Sequence, residues 1–322
     1  MSTRTRSPIL FLVFNRPDTT QRVFDAIRRA RPPRLYVAAD GPRAERIGEA
    51  EKCAQVRQIA TAVDWPCELI TRFQAKNLGC KHAVSSAATW FFEHEAEGIV
   101  LEDDCLPDPS FFPYCDELLD RHRDDPRVMC ISGNNFISAR WHPEHSYYFS
   151  RYAHIWGWAS WARAWAHYRV DPLEPEDEPL EKVLSRTFPE SVRSRRHWAL
   201  LLERATKGHI DSWDYQWNYA LWKIQGLSCM PRLNLISNIG FGAGATNTTN
   251  AESKFSGLPV GQLEFPLRHP AQVDRAASAD AWTEREVFGI SLKHSVRKMV
   301  GQVLRKIRLF LLNGSRQAER PG

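Results

Sequence analysis

Short apolar runs alternate with segments of helical pattern over the first 135 residues. The run at 8–14 is apolar throughout and ends at Asn15-Arg16-Pro17, which is typical of a buried parallel strand. Similar runs predict further strands at 35–39, 67–71, 98–101 and 128–132. Helices are predicted between them, from about residue 18 and at 45–62, 79–95 and 110–123. This alternation predicts an α/β fold with a mostly parallel sheet and helices on both faces.

Polar side chains follow three of the predicted strands. Asn15 and Arg16 come after the first strand, Asp40 after the second, and the acids of 102–104 after the fourth. In parallel sheets, ligands bind beyond the carboxyl ends of the strands. We therefore expect these side chains to meet in one crevice.

The three consecutive acids Glu102, Asp103 and Asp104 are a candidate metal site. Adjacent carboxylates repel one another and lose hydration at the end of an apolar strand, and a divalent cation offsets both effects. Oxygen ligands suit Mg²⁺ or Mn²⁺, which keep positions open for phosphate oxygens. The alternative is a solvated turn, or acids that cap the next helix. We favour the metal site because two other polar strand ends accompany it.

The second half of the chain is rich in tryptophan, because nine of the 12 tryptophans lie between residues 141 and 222. We expect most of them to pack as core, although Trp156 and Trp158, on either side of Gly157, could shape a sugar pocket. The predicted organisation is one half of a domain at 1–135, a second half at 136–270, a linker at 271–290 and a basic tail at 291–322.

Charge and cysteine usage indicate where the protein works. The net charge is +5, but residues 291–322 carry +7, so the rest of the chain gives no sign of nucleic-acid binding. Seven scattered cysteines without a Cys-x-x-Cys pair predict reduced thiols in the cytoplasm. No apolar run is long enough to span a bilayer. The tail has an apolar face beside Lys and Arg side chains, which predicts peripheral contact with an anionic membrane surface, and a docked helix is the alternative.

The sequence at 98–112, GIVLEDDCLPDPSFF, resembles the metal-site strand of nucleotide-diphospho-sugar glycosyltransferases with the GT-A fold. It is most similar to glycosyltransferase family 13, the family of N-acetylglucosaminyltransferase I, and to its bacterial relatives. The similarity extends over about 8–270. It implies a GT-A-type mixed sheet with a nucleotide-sugar-binding half at 1–135 and an acceptor half at 136–270. It also implies a UDP-linked donor, Mn²⁺ or Mg²⁺, and inverting transfer to a hydroxyl of a surface glycan or lipid-linked polysaccharide.

The resemblance assigns roles to the strand-end residues. It implies that Arg16 and Asp40 contact the nucleobase, and Asn15 stands where the family has an aspartate. It further implies that Asp104 binds the metal, while Glu102 and Asp103 face the donor sugar and ribose.

The base that deprotonates the acceptor is assigned to Asp214, because Trp213-Asp214 resembles a Trp-Asp pair of the family, and Asp211 is the second candidate. Here a tyrosine follows Asp214, where the family has another aspartate. The competing interpretation of Asp214 is a carboxylate at the start of a helix.

Two further segments could bind the diphosphate. A helix that starts near residue 79 has free N–H groups, and Lys81 in its first turn could face the phosphates. Simple capping by Asn77 is the alternative. The Gly-rich segment at 240–248 resembles the closing loop of the family, with Asn247 where relatives have histidine.

Two other functions compete with the transferase. A sugar-nucleotide pyrophosphorylase would need a loop rich in Gly, Lys and Arg after the first strand, where this chain has Asn15-Arg16-Pro17. A non-catalytic sugar- or nucleotide-binding protein at the membrane is the other alternative, and the intact acidic triplet argues against it.

Overall fold

The computed structural model describes residues 4–173, 177–241 and 253–290. The strands in these ranges are β1 (Ile9–Val13), β2 (Arg34–Ala39), β3 (Glu68–Phe73), β4 (Glu97–Glu102), β5 (Cys105–Pro107), β6 (Val128–Ser132), β7 (Tyr147–Ser150), β8 (Trp158–Trp161), β9 (Leu227–Pro231) and β10 (Ile236–Asn238). The helices are α1 (Pro17–Ala30), α2 (Glu49–Ala60), α3 (Gly79–His94), α4 (Phe111–Arg121), α5 (Ala162–Trp165), α6 (Leu180–Thr187), α7 (Val192–Thr206), α8 (Asp214–Lys223) and α9 (Ala277–Glu286). The predicted loop at 242–248, with Asn247, and the tail at 291–322 lie outside the described residues.

Eight strands form one mixed sheet in the order β3-β2-β1-β4-β8-β6-β9-β7. Strands β3, β2, β1 and β4 run parallel, whereas β8 is antiparallel to both β4 and β6. The prediction of an α/β fold is confirmed at this level. The two predicted halves share this sheet, because β6 and β9 come from opposite sides of residue 135 and pair in parallel.

Apolar layers cover both faces of the sheet, which explains why the central strands are mostly apolar. Helices α1, α2 and α4 pack on one face, and α3, α5 and α8 pack on the other. Burying large apolar side chains between such layers supplies most of the stabilisation of a fold of this kind. Tryptophans form part of these layers, since Trp158, Trp161, Trp213 and Trp217 are at most 1% exposed. Their expected place in the core is therefore confirmed.

A short two-stranded ribbon supports the acidic turn. After β4 the chain passes through Asp103 and Asp104 into β5, which pairs antiparallel with β10. The ladder continues one step further, because the N–H of Ile239 donates to the carbonyl of Asp104 at 2.8 Å. The turn is thus held by backbone on both sides. The sequence patterns did not predict this ribbon.

The segment at 271–290, expected to be a linker, contains helix α9, which is part of the packed fold. Ala279, Asp280 and Thr283 are at most 2% exposed, and Asp280 forms an ion pair with the buried Arg151 at 3.2 Å. A linker would not bury these side chains, so that prediction is wrong for 277–286. Among the described helices, none has the length and apolar character that crossing a membrane requires.

Candidate active site

A cleft of about 680 Å³ opens at the carboxyl ends of β1, β2 and β4. Its other walls come from the start of α3 and from the segment that leads into α8. The cleft brings together most of the predicted site residues, namely Arg16, Asp40, Glu102, Asp103, Asp104, Asp211 and Asp214. Asn15 and Lys81 do not line it. The structure therefore has the expected crevice, in which the ends of the three strands meet.

Arg16 neutralises part of the acidic turn. Its guanidinium lies 2.9 Å from Asp104 Oδ2 and 3.2 Å from Asp103 Oδ1. Burial disfavours the charged guanidinium, but the two carboxylates more than offset it and raise the pKa of Arg16. The N–H of Phe14 donates to the other oxygen of Asp103 at 3.1 Å. Asp103 therefore has a structural role, since it fixes the end of β1 against the turn.

Glu102 has no ion pair or side-chain hydrogen bond among the described residues. Burial raises its pKa to about 8, and the neighbouring charges of Asp104 and Asp103 add to the effect. Burial also raises the pKa of Asp103 to about 6, although Arg16 opposes the rise. Like charges crowded into a low-dielectric site behave in this way. The turn thus holds more negative charge than Arg16 compensates.

Gly240 lies directly against the Arg16–Asp104 pair. A Cβ atom at this position would clash with Asp104 Oδ2 and with Arg16 Nη1. The N–H of Gly240 donates to Asn238 Oδ1 at 2.9 Å, which holds the backbone in place as it leaves β10. Only glycine allows so close an approach. The chain therefore covers one side of the acidic turn with backbone.

Both carboxylate oxygens of Asp40 accept hydrogen bonds from the protein itself. Its Oδ1 accepts from the N–H groups of Gly41 at 2.8 Å and Leu78 at 2.9 Å, and its Oδ2 accepts from Asn77 Nδ2 at 2.8 Å. Burial raises its pKa, and the backbone N–H donors, Leu78 first, oppose the rise. The carboxylate thus fastens the turn before α3 to the end of β2. Little of its accepting capacity remains for the nucleobase contact that the resemblance implied.

The start of α3 is capped by Asp211. The carboxylate of Asp211 accepts from the N–H of Cys80 at 3.0 Å and of Lys81 at 2.9 Å. Gly79, with a φ of +78°, allows this approach. The Lys81 ammonium points to Asp171 at 3.0 Å. The N-terminus of α3 is thus capped by Asp211, and not by Asn77 or a diphosphate as the two sequence interpretations had it. In this arrangement the helix N-terminus has no room for a diphosphate.

Asp214 begins α8 and lines the cleft, close enough to Glu102 for its charge to contribute to the raised pKa of that side chain. Its side chain accepts a hydrogen bond from Ser212 Oγ. Burial raises its pKa, and the hydrogen bonds from Ser212 and from the helix backbone oppose the rise. No cation lies within ion-pair distance of Asp214 among the described side chains. A carboxylate of raised pKa without a counter-ion is suited to accept a proton from a substrate.

A network of polar side chains lies beside β1, and no pattern in the sequence predicts it. Glu49 Oε1 accepts from Asn15 Nδ2 at 2.9 Å, and Glu49 Oε2 accepts from the N–H of Arg43 at 2.7 Å. The Arg43 guanidinium lies 5.4 Å from the centre of the Phe14 ring. Arg43 lowers the pKa of Glu49 to about 2. Asn15 is therefore a scaffold residue here, and no spacing in the sequence linked it to Glu49.

The acidic turn alone does not enclose a metal ion. Within the described residues, no three His, Cys, Asp or Glu side chains are close enough to form a metal-binding group. Mg²⁺ is often held by only one or two carboxylates together with substrate phosphates. Asp104 and Glu102 fit that arrangement, provided that Asp104 Oδ2 exchanges its bond to Arg16. While Arg16 is in place, its guanidinium therefore occupies Asp104 Oδ2.

Searches against models of known protein families and against curated proteins found no match to this chain.

Proposed function

We propose that this protein is a metal-dependent glycosyltransferase of GT-A-type architecture that uses a nucleotide-diphosphate sugar, with uridine as the preferred nucleoside. The observation that carries the proposal is that the acidic turn at 102–104 lines the same cleft as the carboxylate of Asp214, whose pKa is raised. The excess negative charge of the turn suits a cation that arrives with a diphosphate. Asp214, which comes from a different part of the chain, would meet the acceptor hydroxyl in the same cleft.

The residues of the turn have separate roles in this proposal. Asp104 and Glu102 supply carboxylate oxygens to the metal and the donor, whereas Asp103 stays bound to Arg16 and to the N–H of Phe14. A bound Mn²⁺ or Mg²⁺ would neutralise the charge that develops on the leaving diphosphate. Arg16, once released from Asp104 Oδ2, adds a second positive charge beside the phosphates.

Asp214 is the proposed general base. Its carboxylate accepts the proton of the acceptor hydroxyl as the hydroxyl oxygen attacks the anomeric carbon. The bond from that carbon to the diphosphate oxygen breaks, and the nucleoside diphosphate leaves with the electron pair. Attack from the face opposite the leaving group inverts the anomeric configuration. Asp211 is the weaker candidate because its two oxygens cap α3. The proposed acceptor is a hydroxyl of a surface or lipid-linked glycan.

The test is nucleotide release from a panel of nucleotide sugars in the presence of Mn²⁺ and candidate acceptors. Asp104→Asn and Asp214→Asn are compared with Asp124→Asn, which changes an exposed acid that does not line the cleft. We expect each site variant to lose about 10²–10⁴-fold in rate, the range for a lost general base, and the control to keep wild-type activity.

Three results would contradict the proposal in different ways. Absence of release by the wild type across the panel argues for a binding protein without catalysis. Formation of a nucleoside triphosphate from added pyrophosphate identifies a pyrophosphorylase. Equal release by wild type and Asp104→Asn removes the metal role of the turn.

A further inference from the structure

Strand β3 forms one edge of the large sheet, and β2 is its only neighbour among the described strands. At the start of β3, the N–H of Glu68 donates to the carbonyl of Pro33 at 2.9 Å. The backbone groups of successive residues in a strand point to opposite sides, so the even-numbered residues of β3 bond to β2. The residues whose N–H and C=O groups point to the free edge are therefore Leu69, Thr71 and Phe73.

This edge lacks the features that usually prevent strands from pairing between molecules. Proteins protect an edge strand with Lys, Pro, a β-bulge or a covering element. Strand β3 contains neither Lys nor Pro, and its register with β2 has no bulge. Helices α2 and α3 pack over β1 and β2, and the side chains of Leu69 and Phe73 are 37% and 41% exposed. The edge is therefore open to a further strand.

The charges of β3 lie symmetrically about its middle. Glu68 and Arg72 stand two positions before and two positions after Ile70, and residues at this spacing share one face of a sheet. That face is the α3 side, since Arg72 Nη1 donates to the carbonyl of Ser86 at 2.8 Å. Neither Glu68 nor Arg72 forms an ion pair with another described residue. Both charges are therefore available to a neighbouring molecule.

A second copy of β3 in antiparallel orientation matches this pattern. When Ile70 of one copy lies opposite Ile70 of the other, Glu68 of each copy lies opposite Arg72 of the other. The backbone groups of these residues point to β2, so they form non-hydrogen-bonded pairs, in which facing side chains are closest. The hydrogen-bonded pairs of this register join Leu69 of each copy to Thr71 of the other. Both of those residues direct their N–H and C=O groups to the free edge.

Other alignments lose this match. A shift of the antiparallel register by two residues in either direction moves Glu68 away from Arg72 of the other copy. A shift by one residue sets the free backbone groups against residues that already bond to β2. A parallel alignment in register places each charge beside its own kind. Opposite charges directly across a strand pair stabilise it and like charges destabilise it, so the sequence of β3 favours one partner and one register.

We propose that the protein forms a symmetric dimer through β3, in which the sheets of two copies join into one continuous sheet centred on Ile70. Each copy presents the same strand to the other, so the contact closes with two-fold symmetry and does not extend into a filament. The joined strands run in opposite directions. The two clefts, which lie at the carboxyl ends of β1, β2 and β4, therefore open at opposite ends of the joint sheet.

The test is sedimentation of the full chain over a series from about 1 to 100 µM, in which we expect the wild type to form a dimer. Glu68→Arg sets arginines opposite each other at both symmetry-related positions, so it should weaken dimerisation by about 10-fold or more. The double variant Glu68→Arg/Arg72→Glu exchanges the two charges and should restore most of the affinity. Glu144→Arg, which changes an exposed acid outside β3, is the control and should behave as the wild type.

Thr71→Pro tests the backbone part of the contact. The N–H of Thr71 points to the free edge, so proline removes a donor that a single copy does not use, and edge strands tolerate proline. We expect this variant to be a monomer at every concentration of the series, with the circular dichroism of the wild type.

Three results would overturn the proposal. If the wild type stays monomeric up to about 100 µM, the edge does not pair at relevant affinity. If folded Thr71→Pro still forms the dimer, another surface joins the copies. If the double variant dimerises as weakly as Glu68→Arg, the two charges do not face each other, and the register centred on Ile70 is wrong.

Discussion

Replacing Arg16 with methionine tests the charge balance of the acidic turn without relying on activity. Methionine keeps the apolar stem of the side chain but removes the cation that faces Asp103 and Asp104. The side chains of these two acids are 4% and 9% exposed, and that of Arg16 is 21% exposed. Removing one partner from a buried ion pair costs about 3–5 kcal/mol. We expect the free energy of unfolding of Arg16→Met to fall by that amount at neutral pH.

The same reasoning predicts that a divalent cation restores much of the loss. At about 100 times its dissociation constant, a ligand that binds only the folded state stabilises it by about 2.7 kcal/mol. In Arg16→Met, Mn²⁺ does not have to compete with a guanidinium for Asp104 Oδ2. Mn²⁺ should therefore stabilise Arg16→Met more than it stabilises the wild type. Urea unfolding followed by circular dichroism, with Mn²⁺ or with a chelator, measures both effects.

Arg28→Met is the matched control. Arg28 pairs with Asp25 and Asp64 at the surface, where all three side chains are at least 36% exposed. Such pairs contribute about 0–1 kcal/mol, so this variant should lose little stability and show no extra response to Mn²⁺. If Arg16→Met is as stable as this control, Arg16 does not compensate the turn. If Mn²⁺ stabilises neither the wild type nor Arg16→Met, the turn does not bind a metal by itself.

Three other expectations follow from single positions. Burial lowers the pKa of His122 to about 4 from its ordinary 6.5, so the folded state holds the ring neutral at a pH where the unfolded chain protonates it. The free energy of unfolding should therefore be unaffected by this group above pH 6.5 and should fall by about 3 kcal/mol as the pH drops from 6.5 to 4. His122→Phe should flatten the pH dependence of urea unfolding in that window, and an unchanged slope would refute this. Gly240→Ala should cost about 1–3 kcal/mol in stability and lower nucleotide release, because its methyl group displaces the Arg16–Asp104 pair; full activity would show that the backbone there is free to move. Asp280→Asn should cost about 1–3 kcal/mol because it removes the buried carboxylate partner of Arg151 and leaves the more exposed Glu190 as its counter-charge, whereas the exposed Asp274→Asn should be nearly neutral, and equal unfolding curves would contradict this.

Strands β1, β2 and β6 could be predicted from sequence because each is a continuous apolar run that is buried on both faces. A short, continuous apolar run is compatible with few structures other than a buried strand, so the predicted bounds of β1 and β6 are close to the observed ones. The position of the cleft followed from the same pattern, since polar residues after such runs lie at one edge of the sheet. Strand β8 was not predicted, because its antiparallel insertion between β4 and β6 depends on pairing with residues about 30 to 60 positions away.

The partners of the site residues could not be predicted for a different reason. Arg16 was expected at the nucleobase, yet in the structure it pairs with the acidic turn 87 and 88 residues later, counting from Asp103 and Asp104. Asp211 caps a helix that starts more than 130 residues before it. Ion pairs and caps at such separations leave no periodic signal in the chain. Residue types at strand ends can indicate a site, but the three-dimensional packing decides which of those residues are free for a ligand.

The docking of α9 sets a practical limit on how the chain can be shortened. A version that ends near residue 270 would remove Asp280 and expose the apolar patch of Tyr148 and Met230 that the helix covers. Such a protein should aggregate or be cleaved by proteases even though its cleft is complete. Fragments intended for crystallisation or for assay should therefore extend at least to residue 290.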